Sequence, residues 1–332
     1  MFTSIDKTKS LLFIFAMLLA AIVTACTSQS QSGPIETPQP GPEITRAESI
    51  PPGAVKVTPE SDNVSPQLQS DEFEKPVPLS SVINTAGSED SAFITPDGNR
   101  LYFIFNPDAT MPLEKQLLNN AIGIYVSHKQ DSDWSEPEKV QLQDPRKPSI
   151  DGCPFILGNT MWFCSIRDGN FNAIDLWTAE LKGRKWTDWK NLGSQINFWL
   201  KAEEPCLTAD GNEMYFHSQI TGKGGYDIWV SKNVDGKWQP AENVVAVNTA
   251  ENEILPFVTE DGNELWFTRP YLGPPAIFRS KKVNGDWGPP ELIVSQAASE
   301  PSLDNQGNLY FTHYFVKDGR VIESDIYVAH RK

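Results

Sequence analysis

EEPCLTADGNEMYF, residues 203–216, contains an acidic lead-in, a short apolar run, an Asp-Gly turn and a second apolar run. Asp-Gly tolerates the positive φ of tight hairpin turns, so this pattern predicts two antiparallel strands. The chain repeats the pattern at 91–103 (SAFITPDGNRLYF), 153–163 (CPFILGNTMWF), 255–267 (LPFVTEDGNELWF) and 300–311 (EPSLDNQGNLYF). Five copies at a spacing of about fifty residues predict a repeat architecture.

Each repeat contains two further strand-like segments, so that four strands are expected per copy. The third reads DIWV at 227–230, and the fourth opens with Trp134, Trp186, Trp238 or Trp287 in successive copies. Four-stranded units in radial repetition are typical of a β-propeller. The sequence ends after the third strand of copy five, and residues 73–79 match the fourth-strand pattern. We therefore expect 73–79 to complete the last blade and close a five-bladed ring without a free edge.

The repeats also resemble a known family. PDGNRLYF at 96–103, ADGNEMYF at 209–216 and the Asp-Ile-Trp and Asp-Ile-Tyr strands resemble the TolB-type, WD-like β-propeller repeat. The resemblance implies an all-β, five-bladed β-propeller of four-stranded blades over residues 71–332. It is specific for the fold and uninformative about function. Copies one and four depart from it, with Gly123 and Ala276 in place of the strand Asp.

The N-terminus predicts export. Lys7 and Lys9 precede an apolar run at 11–23, and residues 1–25 read as a signal peptide. Val-Thr-Ala before Cys26 resembles the lipobox of bacterial lipoproteins, which implies fatty acylation, including palmitate, on Cys26; the alternative is an ordinary secretion signal. We expect a protein anchored by lipid in the bacterial cell envelope, at the outer membrane or the exported face of the cytoplasmic membrane. Residues 26–70, rich in Ser, Gln and Pro, are predicted to be a disordered tether.

Charge restricts the partners. The formal net charge is −15, with 43 Asp and Glu against 28 Lys and Arg. No basic face is available to neutralise phosphates, so nucleic-acid binding is not expected. The membrane is expected to be contacted through the lipid on Cys26. An envelope protein or a glycan remains as the expected partner of a monomeric chain.

Acidic side chains recur where the first strand of each repeat begins. One or three residues before the aligned Ala92, Pro154, Pro205, Pro256 and Pro301, every copy carries one acid: Glu89, Asp151, Glu204, Glu253 and Glu300. Positions two apart share a strand face, so these acids are expected to gather at the mouth of a central channel. They could be structural, or they could bind a polar ligand or a Ca²⁺ ion. No other cofactor or metal site is predicted.

Two histidines are predicted to face two of these acids. Counting outward from the hairpin turns places His217 opposite Glu204 and His313 opposite Glu300. These pairs could be simple cross-strand ion pairs. Alternatively, Glu204, His217, Glu253, Arg269, Glu300 and His313 form a ligand-binding rim.

The same counting opposes Cys153 and Cys164, which could form a disulfide in an oxidising compartment or remain as thiols.

Two functions remain open. The chain has no Gly-x-Ser-x-Gly turn and no Cys-x-x-Cys spacing, which favours a binding scaffold over an enzyme. The alternative is a glycoside-processing enzyme, because glycosidases with five-bladed propellers place acids on inner strands. Its candidate catalytic residues would be Glu89 or Asp90, with Asp151 and Glu204.

Overall fold

The computed structural model describes residues 44–332, which are almost entirely β-structure. Three short helical segments interrupt the strands: α1 (Arg46–Ser49), α2 (Leu113–Gln116) and a π-helix (Gln195–Leu200). The helix α2 lies in the long loop at 106–121. Within residues 44–332, no helix combines the length and the apolar character needed to cross a membrane.

The described strands form four sheets, and one of these joins the strands of the first and fifth repeats through a parallel pair, Ser324 with Ser88. We group the strands by repeat and call the groups blades 1 to 5. Blade 1 contains β3 (Ser88–Ile94), β4 (Arg100–Asn106), β5 (Gly123–Gln130), β6 (Asp133–Trp134) and β7 (Glu138–Lys139). Blade 2 contains β8 (Ile150–Leu157), β9 (Thr160–Ile166), β10 (Asp175–Lys182) and β11 (Lys185–Asn191). Blade 3 contains β12 (Glu203–Leu207), β13 (Glu213–Ser218), β14 (Asp227–Val234), β15 (Lys237–Trp238) and β16 (Glu242–Asn243).

The last two blades also receive strands from the N-terminal part of the chain. Blade 4 contains β17 (Ile254–Val258), β18 (Glu264–Pro270), β19 (Pro275–Val283), β20 (Asp286–Trp287) and β21 (Glu291–Ser295), with β1 (Gln67–Leu68) added outside β21. Blade 5 contains β22 (Ala298–Leu303), β23 (Leu309–Lys317) and β24 (Arg320–Ala329), with β2 (Val77–Pro78) outside β24.

The innermost strands of the blades, β3, β8, β12, β17 and β22, contact one another in that order, and β22 contacts β3 again. The second strand of each blade places a fully buried phenylalanine at the same repeat position: Phe103, Phe163, Phe216, Phe267 and Phe311. Phe93 and Phe155, on neighbouring inner strands, pack edge to face with ring centroids 5.1 Å apart. Apolar packing between inner strands therefore joins the blades at the centre.

The strand β2 lies where the sequence places the outer strand of the last blade. Val77 pairs with Val328 and Pro78 with Tyr327, and Phe73 forms a bridge with Arg331. Pro78 fits this edge position because its missing N–H is not needed there. The strand β1, on blade 4, has no counterpart among the sequence-based expectations.

The tether predicted for residues 26–70 ends earlier than expected. Residues 44–70 lie against the blades: Arg46 contacts Glu89, Lys56 contacts Glu323, and Asp62 contacts His313. Composition alone missed this because the segment is held by single charged side chains that reach buried partners far along the chain. The signal peptide, Cys26 and residues 27–43 lie outside the described residues.

Candidate functional site

All five inner strands contain a β-bulge at the same repeat position. The bulge residues are Ser91, Cys153, Glu204, Leu255 and Glu300, with φ of 50°, 53°, 51°, 59° and 58°. Each innermost strand gains one residue relative to its partner between, for example, the Asp90–Ile104 and Phe93–Tyr102 pairs. Non-glycine residues adopt this left-handed region at a cost of roughly 1–2 kcal/mol each. A proline follows in four of the five copies, where the unpaired N–H of the bulge is dispensable.

Neither histidine lies opposite the acid predicted for it. The bulge adds one residue to each inner strand and so shifts its register against the second strand. His217 lies opposite Glu203, not Glu204, with 3.7 Å between His217 Nε2 and Glu203 Oε2. The Leu255 N–H donates to His217 Nδ1 at 3.3 Å, which leaves the proton on Nε2 to face Glu203.

His313 likewise does not face Glu300. It pairs with Ala298, and its ring nitrogens contact the Ala297 carbonyl at 3.1 Å and the Asp62 carboxylate at 3.0 Å. Both contacts are with acceptors, so only the imidazolium satisfies both. Burial lowers the pKa of His313, while the Asp62 carboxylate opposes that shift.

The five repeated acids fall into two sets, because the bulge turns positions two apart to different sides. The first set, Glu89, Asp151 and Glu253, is buried and paired with arginine. The contacts are Arg46–Glu89 at 3.4 Å, Arg167–Asp151 at 2.5 Å and Arg269–Glu253 at 3.6 Å. These acids do not line a shared channel mouth as expected.

Each of these arginines also lies over aromatic rings of the blade that it contacts. Arg46 is 5.6 Å from the Phe103 centroid, Arg167 is 4.7 Å from Trp177, and Arg269 is 4.1 Å from Phe278. Glu89 also accepts from the Thr85 N–H and hydroxyl, yet burial raises its pKa to about 7. Burial also raises the pKa of Glu253. In each pair the arginine compensates the buried carboxylate, so removal of either partner would leave an unpaired buried charge.

The second set, Glu204 and Glu300, lies at the centre of the molecule together with a further acid, Asp90. Asp90, Glu204 and Glu300 raise one another's pKa or that of Tyr314, with burial as the largest cause for each. Glu300 accepts from the Ser91 N–H at 2.6 Å and from the Thr312 hydroxyl at 2.5 Å. Within residues 44–332, no cationic side chain forms an ion pair with these three carboxyl groups, and the buried Oδ1 of Asp90 has no partner. Burial and the neighbouring carboxyl groups therefore raise the pKa of Asp90 and Glu204 well above the ordinary range.

The cavity at this centre is small. It measures about 60 Å³ and is lined by all five bulge residues. That volume holds a few water molecules but is far below the roughly 300 Å³ of the smallest typical ligand pocket.

Cys153 and Cys206 line the same cavity, and Cys164 lies beside Cys153. Cys164 pairs with Gly152, and Cys153 stands at the bulge, so the two are not directly opposed. Both are free thiols in this structure. The Cys153 side chain is hydrogen-bonded to Cys164, which, with burial, raises its pKa. Cys206 is also a free thiol and lies in the core, where its sulfur accepts from the Val258 N–H at 3.2 Å.

Residues 44–70 lie along the face at which the inner strands begin, which we call the strand-start face, and contact blades 1, 4 and 5 there. Arg46 donates to the Ile83 carbonyl at 2.9 Å as well as to Glu89. Lys56 bonds both Glu323 and Asp325. Of the predicted rim, His217, Glu253, Glu300 and His313 are buried here. The structure therefore does not form these residues into an open ligand-binding rim.

The opposite face, which carries the turns between first and second strands and which we call the turn face, contains an open funnel. Its volume is about 530 Å³. Its base is apolar and is formed by Phe93, Phe155, Leu207, Phe257 and Leu303. Its rim carries the charged residues Glu260, Asp261, Lys281, Lys282 and Arg331. An apolar base of this volume with few polar groups around it is typical of a ligand site.

The cations of the funnel rim are neutralised by neighbours. Arg331 contacts Glu72 at 2.5 Å, Lys281 contacts Glu264 at 3.6 Å, and Lys282 contacts Glu213 at 4.0 Å. The described part of the chain contains no group of three His, Cys, Asp or Glu side chains arranged to hold a metal ion. We therefore assign no calcium site.

Comparisons with known proteins assign neither a family nor an activity. No family model matches the chain, and no curated protein matches it. Among solved structures, TolB from Acinetobacter baumannii matches with 12% identity and a TM-score of 0.40, over 71% of this chain and 53% of that chain. The chain thus spans about half the length of that TolB.

Two further solved structures also match this chain. Bacteroides ovatus Xyloglucan PUL GH43B matches with 14% identity and a TM-score of 0.48, over 76% of this chain and 54% of that chain. The catalytic domain of Coprinopsis cinerea GH62 alpha-L-arabinofuranosidase matches with 10% identity and a TM-score of 0.45, over 74% and 91%. At these identities and TM-scores, we draw no functional argument from them.

Sequence reasoning missed the funnel and the N-terminal contacts. The bulge had a readable signal, because an inner-strand proline in four copies marks an unpaired N–H. Arg46 and Lys56 had none, since nothing in their local sequence indicates partners in blades 1 and 5. The apolar funnel residues read as ordinary core positions of the repeat.

Proposed function

We propose that this protein is a lipid-anchored binding protein of the bacterial cell envelope, a closed five-bladed β-propeller that holds a protein partner in its turn-face funnel. The observation that carries the proposal is the contrast between the two ends of the central channel. Residues 44–70 lie along the strand-start face, whereas the turn face has an open apolar cavity of about 530 Å³.

The cyclic contacts between the five inner strands and the pairing of β2 with β24 support a closed ring. Phe73 supports it further: it is fully buried and packs on Trp266 of blade 4, with ring centroids 6.1 Å apart, while its backbone bridges to Arg331 after blade 5. Phe73→Ala should lower the free energy of unfolding by about 3–5 kcal/mol, measured by urea denaturation. Phe171→Ala, at a half-exposed phenylalanine, is the control. If Phe73→Ala and Phe171→Ala lower the free energy of unfolding by the same small amount, Phe73 does not help to close the ring.

The proposed anchor would reach the domain at the strand-start face. Residue 44 is the first described residue, and Arg46 is already docked on blade 1 at that face. A lipid on Cys26 would therefore connect to the strand-start face, and the funnel would lie at the opposite end. Incorporation of a labelled fatty acid that is lost in Cys26→Ala tests the anchor; incorporation that persists in this variant would refute it.

The funnel is tested by photo-crosslinking in cells. A photoreactive residue at the exposed rim position Asn305 should capture a partner that the same residue at exposed Ser132, on blade 1, does not. Ala209→Trp, at an exposed rim position, should fill the funnel and abolish capture without affecting the core. The partner identified in this way should bind the purified wild-type protein at least tenfold more tightly than Ala209→Trp. Capture that Ala209→Trp leaves unchanged would contradict the proposal.

A glycoside-processing enzyme is the second candidate, favoured by the raised pKa of Glu204, since a general acid must hold its proton. It is less well supported because the cavity beside Glu204 is only about 60 Å³. Glu89 and Asp151 are also committed to arginine partners. Hydrolysis of an envelope or plant polysaccharide that is lost in Glu204→Gln would support this candidate. Hydrolysis that survives the substitution would remove Glu204 as the acid.

A further inference from the structure

We infer that the partner presents an extended basic polypeptide segment, whose apolar side chain enters the funnel while its basic side chains lie along a groove between blades 3 and 4. This inference rests on the proposed function and gives the chemistry of the partner.

The funnel continues into that groove. A second cavity of about 800 Å³ lies between the turns of blades 3 and 4. It shares five lining residues with the funnel: Ala209, Glu260, Asp261, Asn263 and Lys282. The two cavities therefore form one continuous depression that leads from the centre of the turn face to its edge. Such a shape accommodates an extended chain with one anchored side chain.

The groove is acidic. Its carboxylates are Asp210, Glu213, Asp235, Glu260 and Asp261, whereas its cations are Lys232 and Lys282. Lys282 is already engaged, since its ammonium lies 4.0 Å from Glu213 and 4.7 Å from the Trp287 centroid. The groove thus presents an excess of negative charge that its own lysines do not neutralise.

Local hydrogen bonds lower the pKa of two of the carboxyl groups in the groove. The Thr208 hydroxyl and the Asn212 backbone N–H donate to Asp210, and these bonds lower its pKa. The corresponding bonds from Thr259 and Asn263 lower the pKa of Asp261. Asp235 and Glu260 are exposed and have no hydrogen-bond or ion-pair partner among residues 44–332. Two carboxylates therefore face the groove without any competing intramolecular contact.

The combination of an apolar pocket and an acidic flank selects a polypeptide over a glycan. Lys and Arg side chains match fixed carboxylates, and an aromatic or aliphatic side chain matches the base formed by Phe93, Phe155 and Phe257. A neutral oligosaccharide would donate hydroxyl hydrogen bonds to the carboxylates but would leave their charge uncompensated. Exposed charge pairs of this kind weaken with salt, because the Debye length falls to about 3 Å at 1 M.

The test uses two synthetic probes, acetyl-Phe-Gly-Lys-Gly-Lys-Gly-Lys-amide and the same peptide with Glu in place of Lys. Binding to the full domain is measured by calorimetry in low salt and in 0.5 M salt. The Lys peptide should bind at least tenfold more tightly than the Glu peptide, which corresponds to about 1.4 kcal/mol. Ala209→Trp should abolish binding.

The matched variants test the two unpartnered carboxylates separately from the apolar base of the funnel. Asp235→Asn with Glu260→Gln should weaken the Lys peptide about tenfold in low salt and much less in 0.5 M salt. Asp131→Asn with Glu114→Gln, two exposed acids elsewhere, should change nothing.

Equal binding of both peptides, no detectable binding of the Lys peptide, or an unaffected Asp235→Asn/Glu260→Gln variant would overturn the inference. If a neutral oligosaccharide binds the wild-type protein but not Ala209→Trp, and neither peptide binds, the funnel would be assigned to a glycan instead. If partner capture in cells is lost in Ala209→Trp but the groove variant has no effect, the groove inference fails and the funnel proposal stands. Capture unaffected by Ala209→Trp would refute the proposed function itself.

Discussion

The two ends of the central channel are built from the same five repeats. They differ in how far their charged side chains are buried and in how open they are to solvent. At the strand-start face, carboxylates such as Glu89, Glu253 and Asp325 are buried and meet a cation. At the turn face, charged side chains stand at the rim of an open apolar funnel. The difference arises because a non-repeated segment, residues 44–70, lies along only the first of these faces. Repetition specifies the blades, whereas the unique segment decides which end remains available.

The comparison also shows that one repeat position can serve different purposes. The acid three residues before the aligned inner-strand position meets Arg167 or Arg269 of its own blade in blades 2 and 4. In blade 1 the cation is Arg46, which comes from outside the repeats. The N-terminal segment therefore supplies a charge that the repeat itself lacks.

The largest effect should follow from removing the segment that lies along the strand-start face. A variant that begins at Ser70 lacks Arg46, Lys56 and Asp62, so it leaves Glu89, Glu323 and Asp325 buried without a cation. The free energy of unfolding should fall on the order of 5 kcal/mol or more, since breaking one buried pair costs about 3–5 kcal/mol. Urea denaturation measures this, with a variant that begins at residue 44 as the control. Equal midpoints for the two variants would show that the segment does not hold the strand-start face.

A smaller effect is expected from Arg46→Ala alone. The substitution leaves Glu89 buried and unpaired and removes the cation over Phe103, which should cost about 3–5 kcal/mol. Arg184→Ala, at an exposed arginine, should change stability by less than about 0.5 kcal/mol. Adding Glu89→Gln to Arg46→Ala should restore part of the loss, because no unpaired charge then remains. A double variant as unstable as the single one would contradict the charge explanation.

The pH dependence of stability isolates the central carboxyl cluster. The folded pKa of Glu204 is raised above the ordinary 4.5, so the native state retains a proton that the unfolded chain loses. Its contribution is therefore favourable below about pH 4.5 and is lost as the pH rises. Glu204→Gln should raise the free energy of unfolding at pH 8 by about 1–3 kcal/mol and have little effect at pH 4. A difference between the proteins that does not change with pH would exclude this titration.

The smallest effect should come from the turn face. Glu260→Gln removes an exposed charge without an intramolecular partner, so stability should change by less than about 0.5 kcal/mol. Circular dichroism during thermal unfolding checks this. A clear loss of stability would mean that the turn face, like the strand-start face, is held by its charges, and the contrast between the two ends would disappear.

The sequence by itself determined the repeated hairpins, the four-stranded units and the position of β2, because turn chemistry and two-residue alternation are local properties. It also determined that Glu89, Asp151, Glu204, Glu253 and Glu300 occupy related positions. Only the tertiary structure decided their roles. A single bulge residue per inner strand shifts the register, which places His217 opposite Glu203. His313 pairs with Ala298, and its ring contacts Asp62 of the N-terminal segment. Arg46 and Lys56 meet their partners only after the chain has folded back across the blades. Such long-range contacts depend on where the whole chain passes, which no local pattern encodes.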